Sequence, residues 1–197
     1  MDFKKKLLLS TEYTTRDMLA VSEKFLEEDP DREDYFIYES KYKAHLYHYL
    51  LLDGINPEDL HFEWRPDNDT NSLDHIDLWF KDPGKRYNIL IEVKQVYGLN
   101  RRKNDIRIVD YRSTDKRSGK PGIIKDVAKL ENACKFLDGY NGIMLMYLAD
   151  PKVGDTVDLN GVRKSVLRQS KTYAKINLKK TELLWTSRTR TEYVSLD

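Results

Sequence analysis

Between residues 60 and 93 the sequence alternates large apolar and polar residues three times over, with short turn-forming stretches between. Leu60, Phe62 and Trp64 alternate with His61, Glu63 and Arg65. Ile76, Leu78 and Phe80 alternate with His75, Asp77 and Trp79. Ile89, Ile91 and Val93 alternate with Asn88, Leu90, Glu92 and Lys94. A period of two belongs to a strand with one face buried. The separators Pro66-Asp67-Asn68-Asp69 and Asp82-Pro83-Gly84-Lys85 are turn chemistry. Three strands in succession favour an antiparallel run, and the helical patterns on either side must cover it.

Those flanks read as helices. One is expected from Thr14-Thr15-Arg16-Asp17, with Met18, Leu19, Val21, Phe25 and Leu26 at helical spacing and Asp29-Pro30 as its stop. A second spans about 34–53, with the stripe Tyr35, Tyr42, Leu46, Tyr49 and Leu50 and Gly54 at its end. After the strands, residues 97–122 are polar and read mainly as a long loop. A helix over about 124–137 (Val127, Leu130, Cys134, Leu137) leads into a buried strand over 143–148. Strand-like pieces follow at 157–162 and 182–185, and residues 163–180 are basic and fit either helix or loop. The pattern is that of a single α/β domain over 1–197, with a mixed β-sheet flanked by helices.

Composition narrows the class. With one cysteine, Cys134, among 197 residues, an internal disulfide and a cysteine-rich zinc site are both excluded. No apolar run approaches the roughly 20 residues a membrane helix needs. The opening MDFKKKLLLS has only three leucines before Thr11-Glu12, too few for a signal peptide. A cytoplasmic protein without a membrane partner is the expectation. The net charge is +1, but residues 1–93 carry 12 Lys and Arg against 21 Asp and Glu, net −9, and residues 94–197 carry 22 against 12, net +10. Such asymmetry suits a polyanion partner or a site that gathers carboxylates, and equally two halves that pair with each other.

Charged residues within the apolar pattern are the candidates for chemistry. Glu39 shares a helix face with Tyr35, Tyr42 and Leu46, where a carboxylate is costly unless paired or metal-bound. Glu92 and Lys94 project from one face of the third strand, opposite Ile89, Ile91 and Val93. Asp77 lies in the preceding strand and meets Glu92 if the two strands form a hairpin. Each taken alone is an ordinary charged residue; their order is what counts. His45 and His48 lie off the apolar stripe and read as surface residues, and His75 shares a face with Asp77.

The series Glu39, then Asp77 in HIDLWF, then Glu92-Val93-Lys94 in ILIEVK resembles the PD-(D/E)XK nuclease superfamily, the restriction-endonuclease-like fold. The likeness covers about residues 33–150, with 151–197 as an extension for DNA recognition or dimerisation. Ile76 stands where many members have proline, and Asp74 is a second candidate for the aspartate. The resemblance implies a Mg²⁺-dependent endonuclease, with Mn²⁺ able to substitute, acting on double-stranded DNA as a homodimer, a type II-like restriction enzyme first of all. Asp77, Glu92 and the Val93 carbonyl would be the metal ligands. Lys94 would assist the attacking water and the phosphate, and Glu39 would hold a second metal or orient its water. The alternatives are a structure-specific nuclease, such as a junction resolvase, and a nucleic-acid-binding module without catalysis.

The basic half fits that expectation. Residues 94–125 include Arg101, Arg102, Lys103, Arg107, Arg112, Lys116, Arg117 and Lys120 in a segment that leaves the third strand directly, beside Tyr97 and Tyr111. Such a loop would grip phosphates. Arg163, Lys164, Arg168, Lys171, Lys175, Lys179 and Lys180 form a second basic group, and Asp126 reads as a partner for a helix dipole.

Overall fold

A computed structural model describes residues 2–30, 39–64, 75–81, 88–96, 122–137, 139–148 and 157–196. The elements, in order, are α1 (Phe3–Glu28), α2 (Glu39–Leu52), β1 (Leu60–Trp64), β2 (Ile76–Lys81), β3 (Asn88–Gln95), α3 (Gly122–Phe136), β4 (Tyr140–Tyr147), α4 (Leu159–Gln169), β5 (Thr181–Thr186) and β6 (Thr191–Val194). The six strands make one sheet in chain order. β1, β2 and β3 are antiparallel neighbours, β3, β4 and β5 are parallel, and β6 returns antiparallel on β5. A parallel pair needs a crossover, and α3 and α4 supply the two that this sheet requires.

The expected α/β class is therefore what the chain adopts: a mixed sheet with helices on both faces. Leu78, Phe80, Ile89, Ile91, Val93, Ile143 and Leu145 pack with α1 and α2. Leu90, Met144 and Met146 pack with α3 and α4. Aromatic stacking pins the first layer. Phe3 of α1 lies on Phe80 with ring centroids 3.7 Å apart, and Tyr42 of α2 lies on Tyr147 at 3.8 Å.

Two expectations require correction. The first helix begins at Phe3, not Thr14, and the leucines of the opening segment belong to it, Leu7 being fully buried. Its inner face is Ser10, Thr11, Thr14, Thr15 and Ser22 as much as Met18 and Leu19, so an apolar period is not visible over its first half. Those hydroxyls are partly used internally: Thr14 Oγ1 donates to the Ser10 carbonyl, and Thr15 Oγ1 bonds Tyr42 Oη at 2.8 Å and accepts from Thr186 Oγ1. The second correction concerns residues 157–162. They enter α4, whose Leu159, Val162 and Val166 face the core at helical spacing. Val157, Leu159 and Val162 are spaced two and then three apart, too short a run to separate the two periods. The strand expected at 182–185 is β5, and the strand at 143–148 is β4, beginning at Tyr140. Among the described residues, no helix is long and apolar enough to cross a membrane.

Candidate active site

The singled-out side chains come together where α2 and α3 approach β2 and β3. The β2–β3 register pairs Leu78 with Ile91, so one step further sets Asp77 beside Glu92. Asp77 is tied to β3 directly, because its Oδ2 accepts the Val93 N–H at 2.8 Å. Alternation slips here. Ile76 packs with the α3 and α4 cluster while Leu78 and Phe80 pack with α1 and α2. The slip leaves Asp77 open to α2, where Lys43 Nζ lies 2.8 Å from its Oδ1.

Glu92 and Lys94 share the face of β3 that α3 covers, so Glu92 is a buried carboxylate and not half of an exposed pair. α3 brings two partners one turn apart. Lys129 Nζ lies 2.6 Å from Glu92 Oε1, a close ion contact rather than a well-aimed hydrogen bond, and also donates to the His75 carbonyl at 2.8 Å. Asp126 Oδ2 lies 2.9 Å from Lys94 Nζ. Asp126 is thus a partner of the candidate catalytic lysine, not a bare helix-dipole charge. Glu39 opens α2 on the same side as Tyr42, Leu46 and Leu50, and its Oε2 lies 3.7 Å from Lys94 Nζ. Glu63, in the left-handed region at φ 45°, has Oε1 3.9 Å from Lys43 Nζ.

Five carboxylates and three ammoniums interact within this cluster, and their proton affinities follow. Burial, reinforced by the Asp77 charge and only partly opposed by Lys129, pushes the Glu92 carboxyl up to about 8. Burial raises Glu39 as well, with Lys94 opposing and Asp77 and Asp126 reinforcing. Burial acts to lower Lys94, but Asp126, Glu39 and Asp77 outweigh it and hold the ammonium above its ordinary value. Lys43 is likewise raised: Asp77, Glu39 and Glu63 overcome its desolvation. At neutral pH, Lys94 is a cation that donates hydrogen bonds and stabilises negative charge; it is not a base.

Among the described residues, no group of three or more His, Cys, Asp or Glu side chains is arranged to hold a metal. A cation site here would use two carboxylates, Asp77 and Glu92, and the main-chain carbonyl of Val93. That donor set fits Mg²⁺, which uses one or two carboxylates, keeps several waters and takes oxygen ligands only. A cation between the two acids would offset the burial and the Asp77 charge that together raise Glu92. Asp74, Tyr97, Tyr111 and the basic residues Arg101, Arg102, Lys103, Arg107, Arg112, Lys116, Arg117 and Lys120 lie outside the described residues.

Sequence reasoning missed Lys43, Asp126 as a Lys94 partner, and Lys129. Two signals were available: Glu39 and Lys43 are four apart on α2, and Asp126 and Lys129 three apart on α3, so each pair occupies one helix face. No family model, no curated protein and no solved structure matches this chain.

Proposed function

We propose that the protein is a divalent-metal-dependent endodeoxyribonuclease that hydrolyses phosphodiester bonds in double-stranded DNA, in the manner of a type II-like restriction enzyme of the PD-(D/E)XK superfamily. One observation carries this reading. Asp77 and Glu92 sit side by side on adjacent strands, joined through the Val93 N–H, with Lys94 on the face of Glu92 and Glu39 of α2 within reach of Lys94.

Asp77 and Glu92, with the Val93 carbonyl, would hold Mg²⁺ or Mn²⁺. Such an ion supplies an activated water and neutralises charge on the phosphate and the leaving oxygen. Lys94 stays protonated throughout. Its ammonium donates to the attacking water or a phosphate oxygen, and it stabilises the charge that grows there. Asp126 and Glu39 fix the direction of that ammonium from two sides. Cutting both strands calls for two such sites, which a homodimer supplies.

Plasmid DNA incubated with Mg²⁺ tests the reading. The unsubstituted chain should linearise or nick it, and Asp77→Ala and Lys94→Ala should each lose about 100-fold or more, the scale of one positioned electrostatic group. Full cleavage by both variants refutes the assigned roles. A second reading, a binding module that keeps the architecture without catalysis, draws on the lysines that already contact both acids. It requires DNA binding with no divalent-cation binding.

A further inference from the structure

The pairing of charges in the cluster is crossed in an informative way. Lys94, the lysine of the E-x-K sequence, contacts neither Asp77 nor Glu92; its partners are Asp126 at 2.9 Å and Glu39 at 3.7 Å. The two acids are met by lysines outside that sequence, Lys43 on Asp77 at 2.8 Å and Lys129 on Glu92 at 2.6 Å. Lys43 and Lys129 approach from different helices on different faces of the sheet. Both are largely buried, each side chain being 13% exposed. Two ammoniums carry the charge of one divalent cation.

We infer that Lys43 and Lys129 are exchangeable internal counter-cations, which hold Asp77 and Glu92 in the metal-free protein and are released to bind phosphate when a divalent cation takes those acids. The inference rests on the proposed metal site. Lysine suits the role. Its ammonium is a compact charge on a flexible four-carbon stem, so it can change partner without moving its helix. An ammonium left against a metal-bound carboxylate would be repelled by the incoming cation. Once released, Lys129 keeps only the His75 carbonyl and Lys43 only the more distant Glu63, so each is a largely buried positive charge poorly compensated until an anion arrives. A phosphodiester brought to the site is that anion. Metal and DNA would therefore bind with positive coupling, each raising the affinity for the other by the same factor.

Calcium titration by calorimetry tests this, using the full chain alone and with a short duplex DNA. In the unsubstituted protein, duplex should tighten Ca²⁺ binding about tenfold, within the range usual for coupled sites. Lys129→Met should bind Ca²⁺ more tightly than the unsubstituted protein without DNA, and duplex should then add little. Lys129→Arg, which keeps the charge, should retain the coupling. A second measurement does not depend on a substituted chain folding. With lysines carrying ¹³C-methyl labels, the Lys43 and Lys129 signals should move on adding Ca²⁺ and move again on adding duplex. Calcium binding that leaves those signals in place, or Lys129→Met with unchanged or weaker Ca²⁺ affinity, overturns the exchange while leaving the metal site standing. Absence of any Ca²⁺ binding by the unsubstituted protein removes the metal-site reading, and the exchange falls with it.

Discussion

Replacing Glu92 by glutamine should stabilise the metal-free protein, by an amount that grows with pH. In the fold, burial and the Asp77 charge lift the Glu92 carboxyl to about 8, from an ordinary value of 4.5. A carboxylic acid raised on folding favours the folded state fully at low pH. As pH rises through 4.5, the unfolded chain releases its proton and the folded chain does not, so stability falls until the folded group also ionises near 8. Each pH unit in that window costs about 1.4 kcal/mol, or roughly 3 kcal/mol by pH 7. The Glu92→Gln side chain keeps the shape without the titrating proton, so the difference between variant and parent should climb from near zero at pH 4 and level off above pH 8. Urea unfolding in chelator at five pH values measures it, with a constant slope against denaturant confirming an unchanged unfolded state. Saturating Ca²⁺ should reverse the order, since ligand bound only to the folded parent stabilises it. A flat difference across pH 5–8, or a variant weaker than the parent at pH 7, refutes the view that Glu92 is a destabilising, site-dedicated acid.

Glu131 is the contrasting case. Its carboxylate is fully buried on α3 and accepts the Lys179 and Lys180 N–H groups and the Thr181 hydroxyl, each at 2.9 Å. Burial alone would raise it, but those donors win and hold it below the usual carboxylate range. Its contribution is therefore present above the ordinary value and lost as pH falls through the lower, folded one. Glu131→Ala leaves three donors without their acceptor and should cost about 3–5 kcal/mol at pH 7, a drop in melting temperature of roughly 6–20 °C by calorimetry; a drop under about 2 °C would contradict the assignment. At Gly142, in β4, an added Cβ would come within 2.6 Å of Leu130 Cγ and 3.2 Å of Thr181 Oγ1. Gly142→Ala should cost about 1–3 kcal/mol by urea unfolding, the usual penalty for overpacking a core.

The first three strands were legible from the period-two pattern of their apolar residues. The alternation of Leu60, Leu78, Phe80, Ile89 and Ile91 located β1, β2 and β3, although Phe62 is exposed, Ile76 packs on the α3 side and β3 is buried on both faces, and α2 follows Tyr42, Leu46 and Leu50. α1 was half hidden because its buried face carries hydroxyls that bond to Tyr42, Thr186 and its own backbone, and hydroxyl residues carry no hydrophobic period. The site was legible for the residues within β2, β3 and the start of α2. Lys43, Asp126 and Lys129 look like ordinary surface charges in a linear reading. Their roles depend on which helix face meets the sheet, and that is set by packing partners 30 or more residues away.

β3 and β4 are bonded along their full lengths, from Asn88 with Tyr140 to Gln95 with Tyr147, yet residues 96–139 separate them in the chain. The charged cluster divides at the same point. Glu39, Lys43, Asp77, Glu92 and Lys94 precede residue 97, and Asp126 and Lys129 follow residue 121. A single cut in that interval would give an acidic first fragment and a basic second one, neither holding the whole cluster. Reassembly would have to rebuild the β3–β4 ladder and return α3 to the face of Glu92 in one event, with opposite charges drawing the fragments together. The topology thus supplies a natural place to split the protein into two complementing halves whose joint chemistry depends on their meeting.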